Sequence, residues 1–197
     1  MRVFLLITAL LLNIAGARTY AQASPPETDI RVLFSPQDNC ARDIVTRIDQ
    51  ARSYVYVAMY VFTARPLAQA LVRARDRGLD VKVCLDQEQS KYEYSKSKFL
   101  ENKGIPVKLI GGSGIMHNKF CVIDGIITIT GSYNWTGRAD LENDENVLIV
   151  RSAEIARQYK EQFDKFWSGT YIDTCTYKDK ERLEKIPAPR PGARRDE

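Results

Sequence analysis

Hydrophobic and polar positions in this chain recur with two periods, one of two residues and one of three to four. Asp29–Phe34 (Asp-Ile-Arg-Val-Leu-Phe) alternates and predicts a first strand. Ser35-Pro36-Gln37-Asp38 then reads as a capping box with proline at the first helical position. Behind it Ala41, Ile44, Val45, Ile48 and Ala51 form one apolar stripe, as on an amphipathic helix. Tyr54–Phe62 is an unbroken aromatic and β-branched run, which predicts a central strand buried on both faces. A helix from about Pro66 carries Leu67, Ala70, Leu71 and Ala74, and Gly78 stands where a C-terminal cap belongs. Leu79–Leu85 is the next strand. Strand, helix, strand, helix, strand implies right-handed crossovers and a mainly parallel core.

The second half is less regular. Lys91–Asn102 predicts a helix that stops at Gly104, with Tyr92, Phe99 and Leu100 turned to the core. Its lysines and tyrosines are also a set that can follow nucleic acid by charge and base stacking, although the ordinary solvated helix is the favoured reading. Val107–Ile110 is a short strand. The Gly111-Gly112-Ser113-Gly114 run after it opens no helix, so it is no nucleotide-binding phosphate loop and serves to bend the backbone. Asn146–Arg151 predicts another strand, and Ala153–Trp167 a helix with Ile155, Tyr159, Phe163 and Phe166 inward. Residues 176–197 are rich in charge and proline and are expected to form an unordered tail.

Between these lies the most informative stretch. Lys119–Ile123 and Ile126–Thr130 flank Asp124-Gly125, a strong two-residue hairpin signal. In that register Ile123 faces Ile126, Lys119 faces Thr130, and His117 faces Ser132. Alternation then collects His117, Lys119, Thr128, Thr130, Ser132 and Asn134 on one side of the ribbon, with Phe120, Val122, Ile127, Ile129 and Tyr133 on the other. The polar side offers an imidazole, an ammonium, hydroxyls and an amide. These are donors plus one nucleophile, suited to an anionic tetrahedral group with no metal needed to neutralise it.

The spacing H-x-K-x4-D-x6-G-S-x-N, carried by His117, Lys119, Asp124, Gly131, Ser132 and Asn134, resembles the HKD motif of the phospholipase D superfamily. A short chain with one motif copy looks most like the bacterial endonuclease branch, which also includes small secreted enzymes called phospholipases. The resemblance spans roughly residues 30–168. It implies an α/β fold, a phospholipase D-like α/β/α sandwich on a mixed, largely parallel sheet, and phosphodiester hydrolysis without cofactor or metal.

Neutral imidazole is a competent nucleophile at phosphorus, so His117 is expected to form a phosphohistidine that water reopens. Lys119, Ser132 and Asn134 would bind the phosphate oxygens. By the resemblance, Glu145 orients the imidazole, with Glu142 and Asp144 close enough in sequence to compete for the role. Asp124 completes the motif's catalytic set, and its place at the turn suits an organiser better than a proton carrier. Superfamily enzymes use two histidines, one attacking and one acting as acid, whereas this sequence holds one. A twofold homodimer sharing one site is the economical solution.

Residues 1–23 change the setting. Arg2, the apolar run Val3–Leu12 and Ala21-Gln22-Ala23 read as a cleavable signal peptide, which implies a secreted or periplasmic protein with no membrane span after cleavage. Residues 24–175 then form one catalytic domain. Loss of Arg2 and Arg18 lowers the formal charge from +4 by two, too mild a basic balance to choose a substrate. In an oxidising compartment a Cys40–Cys175 bridge is the expected pairing, with Cys84 and Cys121 buried in strands. Without a C-x-x-C pair or a second histidine, zinc is disfavoured. The leading reading is an endonuclease acting on DNA, with RNA as a second polynucleotide substrate. The alternatives are a phospholipase D acting on phosphatidylcholine or cardiolipin-type lipids, and a non-catalytic nucleic-acid-binding module.

Overall fold

The computed structural model describes residues 29–112 and 114–170. The expected signal peptide, Cys175 and the C-terminal tail lie outside the described residues. In chain order the elements are β1 (Asp29–Ser35), α1 (Cys40–Asp49), β2 (Tyr54–Met59), α2 (Arg65–Asp76), β3 (Asp80–Asp86) and α3 (Gln87–Ser90). There follow α4 (Ser97–Asn102), β4 (Val107–Ile110), β5 (Lys119–Ile123), β6 (Ile127–Gly131), α5 (Gly137–Leu141), β7 (Glu145–Arg151) and α6 (Ala153–Ser168). Seven strands form one sheet in the order β1-β7-β6-β5-β2-β3-β4.

The sheet is mixed, but less parallel than the crossover pattern implies. Only β2–β3 and β3–β4 are parallel, while β1–β7, β7–β6, β6–β5 and β5–β2 are antiparallel. Crossovers dictate parallel pairing only where a helix returns the chain to an adjacent strand, as α2 does between β2 and β3. β1 instead crosses to the far edge and pairs with β7, a partner more than a hundred residues away that no local pattern announces.

Helices cover both faces. Ile44 and Ile48 of α1 and Leu67 and Leu71 of α2 are fully buried against Val57, Val83, Cys121 and Ile123 on one face. On the other, α6 packs Phe163 and Phe166 over Tyr56, Phe120 and Val122, with the Tyr56 and Phe163 rings stacked at 4.8 Å. The Ser152 hydroxyl oxygen accepts from the Ile155 N–H at the start of α6, and Gly169, at φ 81°, ends it. Cys40, Cys84 and Cys121 are buried and form no disulfide among the described residues, with Cys84 on the α6 side and Cys121 beneath α1 and α2.

Two local expectations are revised. The capping box at Ser35 does not form, because Ser35 remains in the ladder opposite Glu145 and its hydroxyl donates to the Asn143 carbonyl at 3.3 Å. The single helix expected over Lys91–Asn102 is shortened to α4, with residues 91–96 forming a turn that links it to the preceding α3. Asp86 caps α3 by accepting from the Gln89 N–H at 2.9 Å, and the Lys96 N–H is drawn to the Phe62 carbonyl at 2.9 Å. Phe99 and Leu100 still pack inward, but Tyr92 is 65% exposed.

The hairpin register also differs by one residue. Asp124 and Gly125 do take the positive φ values, 54° and 67°, that a tight turn of this type demands, and the Ile126 N–H reaches the Ile123 carbonyl at 3.1 Å. The ladder then pairs Ile123 with Ile127 rather than Ile126. Ile126 is an inserted residue whose carbonyl accepts from the Ser152 N–H instead. One inserted residue swaps every β6 side chain to the opposite face. Thr128 and Thr130 therefore lie with Phe120 and Val122, and Thr128 is fully buried on the α6 side, away from Lys119.

Asp124 is an anchor for β2. Its carboxylate accepts from the backbone N–H groups of Arg52 (2.9 Å), Ser53 (2.8 Å) and Tyr54 (3.1 Å) and from the Ser53 hydroxyl (2.9 Å). Burial works against its ionisation, but these four donors outweigh that and hold the carboxyl below its ordinary value. The folded pKa is depressed, so the stabilisation is present above the unfolded carboxylate pKa and vanishes as pH falls through the folded one. Asp124→Asn should cost about 2 kcal/mol at pH 7, and less at pH 3. Urea titrations at both pH values check this, and an equal loss at both would contradict it.

Candidate active site

The site gathers at one end of the sheet, where β2 ends, β5 begins, β6 ends and β7 begins. Backbone hydrogen bonds tie these ends together. The Tyr60 N–H donates to the Asn118 carbonyl at 2.9 Å, and Thr63 and Ala64 both donate to the Trp135 carbonyl at 2.9 Å. His117 lies just ahead of β5 with its ring exposed. Lys119 is the first residue of β5, opposite Met59, and its Nζ donates to the His117 carbonyl at 2.8 Å.

Ser132 and Asn134 follow β6 and are prepared in the same way. The Ser132 Oγ accepts from the Asn146 N–H at 3.1 Å, and the Asn134 Oδ1 accepts from the Val61 N–H at 3.3 Å. Each side chain has its acceptor fixed by the backbone, and its donor end has no partner among the described residues. Donors held in place before an anion arrives are what a phosphate site requires. Gly131 allows the approach: a Cβ there would lie 2.1 Å from the Asn146 carbonyl oxygen, at a φ of 148°.

Of the three candidate acids, Glu145 is the one whose charge reaches the site. It begins β7, half-buried opposite Ser35. Burial pushes the Lys119 ammonium below the ordinary lysine value, and the Glu145 charge acts in the opposite sense. Glu142 is engaged with Arg138 at 3.3 Å, and Asp144 is exposed. Glu145 accepts from the Asn143 side chain at 3.1 Å, and no hydrogen bond joins it to His117. Asp124 is not in the site. It sits past the opposite end of β5, about 20 Å from His117 at the rise of an extended strand.

Sequence reasoning missed Tyr60, Gln89 and Asp86. The Tyr60 ring meets the His117 imidazole edge-on at 4.4 Å between centroids, and the Lys119 Nζ lies 5.0 Å from its centre. The Tyr60 hydroxyl accepts from the Gln89 side-chain amide at 3.1 Å. Asp86 is only 2% exposed and accepts from both the Gln89 N–H and the Met116 N–H, at 2.9 and 3.0 Å. It fixes α3 against the residue before His117. The signal was available: Tyr60 and Asp86 lie at the carboxyl ends of parallel strands, where α/β sheets collect their ligands.

The lysine pKa gives a test. Glu145→Gln removes a charge that favours the ammonium form of Lys119, so the alkaline limb of kcat/KM should move to lower pH. A limb that stays in place, measured on a chromogenic phosphodiester, would show that Glu145 does not act through Lys119.

Residues 44–167 match the family described as "Cardiolipin synthase, PLD-like domain". The chain belongs to the phospholipase D superfamily. A protein named phospholipase D from Rickettsia bellii is 37% identical over 66% of this chain and 65% of its own length. A mitochondrial cardiolipin hydrolase from Xenopus laevis is 31% identical over 77% of this chain and 76% of its own. Among solved structures, the phospholipase D family member Nuc from Salmonella typhimurium superposes with a TM-score of 0.69 at 29% identity, covering 72% of this chain and 95% of Nuc. The phospholipase D superfamily is one of phosphodiester hydrolases, and this chain has its mixed α/β fold and its complete HKD spacing.

Proposed function

We propose that the protein is an exported, metal-independent endonuclease that cleaves DNA, and RNA as a second substrate, through a phosphohistidine. The observation that carries the reading is the convergence of His117, Lys119 and the free donor ends of Ser132 and Asn134 on an open, solvent-facing rim. An exposed nucleophile among fixed donors suits a phosphodiester within a long soluble polymer. The names of the Rickettsia and Xenopus relatives support the alternative, a hydrolase of phosphatidylcholine or cardiolipin-type lipids with the same residues.

Neutral His117 attacks phosphorus, an N–P bond forms, and the ester P–O bond breaks. The departing oxygen takes a proton from a second imidazolium, and Lys119, Ser132 and Asn134 hold the phosphoryl oxygens. Water then attacks phosphorus, gives its proton to that second imidazole and frees His117. With one histidine per chain, the second is the His117 of a twofold-related copy. Ile30, Val32 and Phe34 of β1, 53%, 49% and 55% exposed, form an apolar stripe along the sheet edge for that copy to cover, with its Phe34 end opposite Asn146.

Purified protein in chelator, offered plasmid DNA, RNA, phosphatidylcholine and cardiolipin side by side, tests the reading. Polynucleotide cleavage that survives the chelator is expected, whereas hydrolysis of lipid alone would replace the nuclease with a phospholipase.

A further inference from the structure

The turn between α3 and α4 presents two tyrosines to solvent. Tyr92 is 65% and Tyr94 74% exposed, and neither ring stacks on another aromatic ring among the described residues. Two large aromatic side chains held in water two residues apart forgo burial that a merely connecting turn would favour. The surrounding charges are close to balanced. Lys91 pairs with Glu88 at 2.7 Å, the Lys96 Nζ donates to the Tyr94 carbonyl at 3.2 Å, and Lys98 has no acid partner among the described residues. Glu93 and Glu101 match the charges of Lys96 and Lys98.

The turn is wired to the nucleophile. Gln89 of α3 donates to the Tyr60 hydroxyl, and Tyr60 touches both His117 and Lys119. Gly111 makes room for the arrangement, since a Cβ there would fall 1.9 Å from the Gln87 side-chain oxygen. A groove lined by Ser90, Tyr92, Ser97, Lys98 and Leu109 runs beside the turn.

Resting on the nuclease reading, we propose that Tyr92 and Tyr94 form a stacking platform for unpaired bases, and that the protein's preferred substrate is single-stranded nucleic acid. Stacking needs a free base face, which a duplex does not offer. With so little excess positive charge, affinity comes from the rings, and its dependence on salt is shallow.

The test uses full-length protein carrying His117→Asn, so that bound strands persist, and a fluorescein-labelled 20-mer of deoxythymidylate. Adding Tyr92→Ala with Tyr94→Ala should weaken binding by about 30-fold, and Tyr92→Trp with Tyr94→Trp should restore it to within about threefold. Circular dichroism confirms that the variants are folded. An alanine pair that binds as the parent does overturns the platform. So does an alanine pair, made in the active chain, whose turnover of bis(4-nitrophenyl) phosphate falls in step with its DNA affinity, because the turn would then act through Tyr60 on the chemistry. Loss of binding to cardiolipin-containing vesicles alone also overturns it, in favour of a membrane contact. If the unmutated enzyme cleaves DNA and the alanine pair has an unchanged KM, only the platform falls. If it cleaves no polynucleotide at all, the nuclease reading falls first.

Discussion

His117→Asn is expected to give a folded protein with activity reduced by at least about 10⁴-fold, since removing a covalent nucleophile leaves only binding and charge stabilisation. Folding should be spared. The ring is exposed and touches Tyr60, so the stability change should stay within about 0.5 kcal/mol. The variant also probes the shared site. If each site needs two imidazoles, mixed dimers are inactive, and activity follows the square of the wild-type fraction. A one-to-one exchange mixture should retain about a quarter of the activity, whereas one half would indicate subunits working alone. Activity in proportion to the wild-type fraction would sink the twofold mechanism while leaving the nucleophile in place.

The second large effect is expected at Gly131. Adding a single methyl group there drives Cβ to within 2.1 Å of the Asn146 carbonyl oxygen and 2.7 Å of its side-chain oxygen, at a φ that L-residues rarely adopt. The β6–β7 ladder must open, and with it the reciprocal bonds between Ser132 and Asn146. Gly131→Ala should therefore cost about 3 kcal/mol and lower kcat together with stability. Urea melts and single-turnover rates on one preparation check both. A variant of normal stability with normal rates would show that the close approach is dispensable.

Much of this was legible because fixed spacing survives errors of geometry. His117, Lys119, Ser132 and Asn134 were placed together by the motif, although the strand alternation used to group them failed at Ile126. That residue continues an apolar run, and nothing local marks it as an insertion; its carbonyl is claimed by Ser152, 26 positions further on. Asp124 was grouped with the catalytic residues for a related reason. Its true partners, Arg52, Ser53 and Tyr54, are some 70 residues distant, so the sequence displays the carboxylate but not what it holds. The break between α3 and α4 depends likewise on Phe62, a contact with no helical period. Periodicity did recover α1, α2 and α6, whose stripes face a core directly.

The buried thiols give the fold an internal clock. Burial pushes the Cys84 thiol up to about 12, and that of Cys121 higher still, so at neutral pH neither is a thiolate and neither is within reach of a reagent. Modification by an aromatic disulfide then proceeds only as fast as the layer above each one lifts: α6 over Cys84, α1 and α2 over Cys121. Timing the two residues separately would reveal which side of the sandwich breathes first.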